Sequence, residues 1–460
     1  MSSTQPISIQ PYVDANKARL LDELLDFLRI PSVSTVPEHK PDVRRAAEFV
    51  ANALRNAKLE NVEIIESSGH PLVYADWLHA PGKPTVLCYG HYDVQPPDPL
   101  DEWVTPPFEP TIRNGNIYAR GATDDKGQVY MHVKAVEALF ATHGTLPLNV
   151  KFLIEGEEEC GGEAIADYLP KHTAKLKADV ALVSDTELYA EGIPTLCVGL
   201  RGLIYTEIEA RGPMRDLHSG VYGGAAPNAI FGLVELLGKL KDADGHIKIP
   251  GIYDDVTPPT AEEKHSWESL PFDEEEYRKT EVGSTVLTGE PGFSVMERTW
   301  ARPTLEVHGI VGGYMAPGAK TVIPAKATAK VSIRLVPDQQ PDKIVAAYKK
   351  FVAESAPRGI TTEVRVLSAS AANSVNPDHP AIHCAAEAFA EVLGRETVFT
   401  RGGGSIPIVG DFKNHLGIPT ILMGFSNPDD GLHSPNEKYP VANYYAGIVT
   451  IAHFFEKYGK

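Results

Sequence analysis

The alternation of apolar and polar residues divides this chain into elements before any chemistry is considered. Leu20, Leu21, Leu24, Leu25 and Leu28 recur at helical spacing, which predicts a helix from an N-cap at Asp14 to a stop at Pro31. Further helices are predicted over 43–56, 128–141 and 163–169. Between them, continuous apolar runs over 62–66, 84–89, 150–155 and 180–184 read as strands. Unbroken runs, unlike alternating ones, belong to strands covered on both faces, so this stretch points to a buried α/β sheet between helices.

Near residue 199 the pattern changes. Residues 203–212 alternate, 228–240 read as an amphipathic helix, and 241–292 turn Pro-, Asp- and Glu-rich, the mark of a surface excursion. Alternation returns with apolar residues at 327, 329, 331, 333 and 335, followed by a helix over 342–355 and a strand over 361–367. A small α+β layer inserted into a larger α/β domain fits this order. The division expected is 1–198 and 377–460 for the larger domain and 199–376 for the insertion. At 460 residues the chain exceeds what one core usually supports.

Composition narrows the partners. With 61 acidic against 43 basic residues the formal charge is −18, which argues against nucleic acid or an anionic membrane as partner. No apolar stretch approaches the roughly 18 residues that span a bilayer, and 1–11 lacks the pattern of a signal peptide. The four cysteines, 88, 160, 197 and 384, are widely spaced and form no C-x-x-C, so neither a zinc finger nor a disulfide framework is expected. A cytoplasmic protein is the resulting expectation.

Five residues of metal-ligand type each follow an apolar, strand-like run: His91, Asp124, Glu159, Asp185 and His433. Ligands collect at the carboxyl ends of strands in open α/β sheets, so two histidines and three carboxylates converging there would make a hydrolytic metal centre. Singly, each has an ordinary reading, since His91 can be a solvated loop histidine and Asp124 or Asp185 a cap. Asp93, two residues after His91, can orient that imidazole. The run Glu155-Gly-Glu157-Glu158-Glu159 places four carboxylates in five positions, where they repel unless a cation or protons intervene. Arg401-Gly-Gly-Gly-Ser405 is an amide-rich turn able to hold an anion, but lacks the spacing of a nucleotide P-loop. Arg334 falls on the polar face of its strand and can clamp a carboxylate.

Taken together, Gly90-His-Tyr-Asp-Val-Gln-Pro, Arg120-Gly-Ala-Thr-Asp-Asp-Lys-Gly, Glu155-Gly-Glu-Glu-Glu, Asp216-Leu-His-Ser-Gly, Lys320-Thr-Val-Ile-Pro, Ser332-Ile-Arg-Leu-Val-Pro, Gly403-Gly-Ser-Ile-Pro and Asp430-Gly-Leu-His-Ser-Pro-Asn-Glu-Lys resemble, in order and over essentially the whole chain, the co-catalytic metallopeptidases that include aminoacylase, carboxypeptidase G and carnosinase. The carnosinase-like, non-specific dipeptidase branch is the nearest. The resemblance implies a zinc-peptidase-like catalytic domain with a mainly parallel mixed sheet, and a ferredoxin-like lid and dimerisation domain. It implies two divalent ions, zinc first, with manganese or cobalt tolerated. Asp124 would bridge them, His91 and Asp185 would complete one and Glu159 and His433 the other, with Glu158 as general base. It further implies a homodimer in which His218 reaches the partner's site, with Arg334, Ser405 and Thr321 on the substrate side. Hydrolysis of dipeptides is the implied activity, and an amidohydrolase acting on N-acyl or N-carbamoyl amino acids is the alternative. A non-catalytic metal-binding scaffold would be expected to have lost Glu158 or a ligand, and all are present. Glu157 competes with Glu158 and Asp125 with Asp124, and Cys160 stands where a small or apolar residue is expected.

Overall fold

The structure, a computed structural model, describes residues 8–402, 404 and 406–460, apart from the side chain at 262; Ser405 and most of the polar start lie outside. The chain forms two units. The first runs to Val198 and takes in Val375–Thr400 and Asp411–Lys460, while the second is Gly199–Ser374 with Arg401–Gly410. The pattern-based division places everything after 377 in the first unit, whereas Arg401–Gly410 groups with the second.

The first unit opens with α1 (Gln10–Leu28) and α2 (Lys40–Asn56), then β1 (Glu60–Ile65), β2 (Leu72–Trp77) and β3 (Thr85–His91). After α3 (Lys126–His143) come β4 (Asn149–Glu155), α4 (Glu163–Lys171), β5 (Val180–Val183) and β6 (Thr195–Leu200). Helix α1 begins ahead of Asp14 because Pro11 sits in its first turn, where a missing N–H leaves no bond unmade.

The second unit holds β7 (Gly202–Arg211), α5 (Ala229–Leu240), β8 (Thr304–Gly312), β9 (Lys326–Leu335), α6 (Pro341–Ser355) and β10 (Thr361–Ser370). Its sheet runs β8-β9-β7-β10, antiparallel throughout. This β-α-β-β-α-β succession is the ferredoxin-like arrangement. The inward residues of alternating strands, among them Ile204, Ile208, Val331 and Ile333, bury against Leu233 and Leu236 of α5 and Tyr348 of α6. The Pro-, Asp- and Glu-rich stretch expected to be a surface excursion carries a helix at Ala261–Glu268, nucleated by a Thr260–Glu263 capping box. Its acidic composition masks that local signal.

The chain then returns to the first unit with α7 (Pro380–Leu393), β11 (Thr420–Leu422) and α8 (Val441–Tyr458). Seven strands of the large sheet lie in the order β1-β2-β4-β3-β5-β11-β6. The four central strands, β4, β3, β5 and β11, pair in parallel, and the flanking pairings are antiparallel. Every residue of β3 and β4 after the first is buried, as is all of β5, which accounts for their unbroken apolar sequences. Parallel pairing brings the carboxyl ends of all four strands to one edge.

Candidate metal centre

Strand β3 ends on His91, and β4 ends on Glu155, so the next turn carries Glu157, Glu158 and Glu159. Strand β5 ends two residues before Asp185, and the loop after β11 leads to His433. Asp124 arrives differently. The run at 116–118 is not a strand of the central sheet; it pairs with Thr111–Arg113 and Lys438–Pro440 in a separate three-stranded sheet. Asp124 instead lies on the turn that enters α3.

Two groups of donors form. One ligand atom from each of His91, Asp124 and Asp185 lies within 4.8 Å of the others, and the same holds for Asp124, Glu159 and His433. Asp124 belongs to both. His91 Nε2 is 3.2 Å from Asp124 Oδ1, while His433 Nε2 is 2.9 Å from Asp124 Oδ2 and 3.3 Å from Glu159 Oε2. His91 and Asp124 are buried, whereas the His433 side chain is 55% exposed and so faces the approach from solvent.

Electrostatics make this arrangement costly without a cation. Burial first, then Asp185, Glu159 and Asp124, push the Glu158 carboxyl up to about 8. Burial and Asp124 push Asp185 up to about 7. The His433 imidazole rises to about 10 through its bonds to Asp124 and Glu159. Among the described residues no hydrogen bond reaches the buried His91 Nε2. Nδ1 of that ring faces the Asp93 main-chain oxygen at 3.1 Å and Oδ1 at 3.4 Å, which leaves Nε2 as the free lone pair. An orphaned imidazole nitrogen beside mutually repelling carboxylates is a donor set suited to divalent cations, and the His and carboxylate mixture suits zinc.

Supporting residues lie around these donors, several of them invisible to sequence pattern. Asp125 turns away from the donors, and its Oδ2 accepts from the His91 N–H at 3.1 Å. Asp93 Oδ2 accepts from Glu159 N–H, and Gln95 Nε2 donates to Glu159 Oε2 at 2.8 Å. Glu437 is fully buried and receives Arg120 Nη1 at 2.7 Å and the N–H groups of Gly121, Thr123 and Asp124 at 2.9, 2.9 and 3.1 Å. Arg120 and Glu437 both fall inside recognised motifs, but their pairing spans the chain and no local spacing reveals it. Cys160 is an exposed free thiol, pushed up to about 11 by burial of the sulfur and by the nearby carboxylates.

The remaining candidates belong to the second unit. His218 is exposed on a two-residue strand pairing with Val322–Ile323, its Nδ1 accepting from Gly220 N–H, and Thr321 is also exposed, its carbonyl accepting from Ser219 N–H. Arg334 is half-buried on β9, opposite Leu203 and Thr304.

Comparison with known proteins follows the same line. The sequence profile of Peptidase family M20/M25/M40 matches residues 87–457. A Cys-Gly metallodipeptidase of Candida albicans is 33% identical over 99% of this chain and 98% of its own. A human Beta-Ala-His dipeptidase is 33% identical over 96% and 91%. A solved di-peptidase from Saccharomyces cerevisiae superposes with a TM-score of 0.83 at 31% identity, covering 98% of both chains. With this match and with these full-length relatives, the chain belongs to the peptidase family M20/M25/M40.

Proposed function

We propose that this protein hydrolyses the peptide bond of dipeptides at a centre of two divalent ions, zinc being the native metal. The observation that carries the reading is Asp124, whose carboxylate serves both donor groups at once. Relatives named for dipeptides over their full length support the substrate class, and they weigh against the N-acyl amidohydrolase reading.

His91, Asp124 and Asp185 would hold one ion and Asp124, Glu159 and His433 the other. When bound, such a pair supplies Lewis acidity at the scissile carbonyl and lowers the pKa of water there. Glu158 takes the proton from the attacking water and returns it to the leaving amine. Its carboxylate is suited to that, because no hydrogen bond among the described residues ends on it. Asp93 keeps His91 in the tautomer that presents Nε2. Arg334 and Ser405 would hold the substrate's free carboxylate, with Thr321 in a substrate-side segment, which would limit the substrate to short peptides.

We assign the active form to a homodimer in which His218 stabilises the developing oxyanion in the partner's site. Strand β8 is an edge strand with Ile310 and Val311 exposed, and α5 exposes Phe231 and Val234; such an edge invites pairing with a second copy. His218→Ala is expected to lower kcat by about 10²–10³-fold with the dimer intact by sedimentation; near-normal kcat removes His218 from the reaction. Four free cysteines fit the cytoplasm, and among the described residues no helix is long and apolar enough to cross a membrane.

The deciding experiment strips the protein with a chelator, restores zinc or manganese, and compares matched dipeptides with free and acylated amino ends. Turnover of the free dipeptides only after metal is restored is the expected result. Preference for acylated compounds would move the protein to the amidohydrolase reading.

A further inference from the structure

The sequence leaves Glu157 as a rival to Glu158 for the role of base, and the structure gives it different work. Glu157 is 7% exposed, and among the described residues its carboxylate meets main-chain N–H groups and no cation. Its Oε1 accepts from the His70 N–H at 2.8 Å, on the connection between β1 and β2, and its Oε2 accepts from the Ala164 N–H at 2.8 Å, in the first turn of α4. Its own main-chain oxygen accepts from Cys160 and Gly162 N–H at 3.1 and 2.7 Å. One residue thereby ties together the loop before β2, the turn after β4 and the start of α4. The carboxylate is suited to this because it offers two acceptors and no donor, and the first N–H groups of a helix favour a negative charge.

The turn so held bears Glu158 and Glu159. Glu159 has side-chain support, from Gln95 at 2.8 Å on its Oε2 and from Asp93 on its N–H. The Glu158 carboxylate has no hydrogen bond among the described residues, so the main chain that carries it is what holds it toward the donors. The main chain immediately before it is the part that Glu157 fastens. Space around the clamp is fully used: a Cβ at Gly69 would stand 1.6 Å from Glu157 Oε1.

We infer that Glu157 is a positioning residue that aims Glu158 at the reacting centre and holds Glu159 for its ion, without touching substrate or metal. The inference rests on the proposed roles of Glu158 and Glu159.

Two variants probe it. Glu157→Gln keeps the size but replaces one acceptor by an NH₂ group facing an N–H. Gly69→Ala leaves Glu157 intact and pushes its carboxylate off His70, a shift that the end of a flexible side chain can make. Each is measured for kcat, KM, thermal midpoint, and ion affinity by competition with a chromophoric chelator. The expected result in both is a ten- to hundredfold fall in kcat, KM within about twofold, and about tenfold weaker binding at one of the two ion sites. A lowered midpoint with unchanged kcat and ion affinity would reduce Glu157 to a structural residue and overturn the inference. A loss of kcat in Glu157→Gln with both ion affinities unchanged and Gly69→Ala fully active would make Glu157 the base, and would overturn it too. Should Glu157→Gln fail to fold, Gly69→Ala alone decides by the same criteria. Wild-type turnover in both Glu158→Gln and Glu159→Gln is a separate outcome, sinking the reading of the site itself whatever the Glu157 variants do.

Discussion

Glu158→Gln lowers kcat by about 10²–10⁴-fold, the contribution of a positioned general base, while the protein keeps both ions and its thermal midpoint. The expectation follows from how little else Glu158 does. Its carboxylate makes no hydrogen bond among the described residues, so the amide leaves no native partner unpaired. It belongs to neither donor group around Asp124, so the ions keep their ligands. Its carboxyl is pushed up to about 8 by burial and by the carboxylates of Asp185, Glu159 and Asp124, so the neutral glutamine suits the same buried place. A variant at least as stable as the parent, but nearly inactive, is therefore predicted. Steady-state kinetics beside an ion count by atomic absorption tests it. A kcat within threefold of the parent would remove Glu158 from the base role.

Glu437→Gln has the largest expected effect on stability. The carboxylate collects four donors in a fully buried place, including the Arg120 guanidinium, itself 1% exposed. Removing one partner of a buried charge pair strands the other, at a cost of about 3–5 kcal/mol. A glutamine also turns an NH₂ toward N–H groups that need an acceptor. The turn released is the one that aims Asp124, so both ions should bind more weakly together, unlike an Asp185 variant, which should affect one. Urea unfolding and ion titration measure the two effects. A change under about 0.5 kcal/mol, the level of an ordinary surface substitution, would show that the Arg120–Glu437 contact carries no such load. The Arg120→Ala variant should behave alike, and the double variant should cost less than the sum, since each already forfeits the same pair.

Much of the fold was legible because the signals are local. Continuous apolar runs at 150–155 and 180–184 mean two covered faces, and alternation at 327–335 means one, whatever surrounds them. The α1 start lies ahead of Asp14: a good capping residue inside a helix looks the same as one at its end, and Pro11 extends the helix backward. The helix at Ala261–Glu268 is hard to see in the sequence because an acidic, Pro-rich setting hides a four-residue capping box.

The donor residues stood out for a similar reason. Each follows a strand or opens a helix, and parallel pairing obliges strand ends to meet. What the linear order could not decide was which of two adjacent carboxylates faces the centre. Asp124 against Asp125, and Glu158 against Glu157, differ by one residue in sequence and by the groups each carboxylate meets. Backbone geometry on either side sets those partners. His91 N–H draws Asp125 Oδ2 to itself, and the His70 and Ala164 N–H groups draw Glu157. Residue types and their order thus determine the elements, the family and the list of donors. The assignment of each carboxylate to a cation, a proton or a peptide N–H depends on partners that lie from 7 to 87 positions away, and only the packed chain brings all of them together.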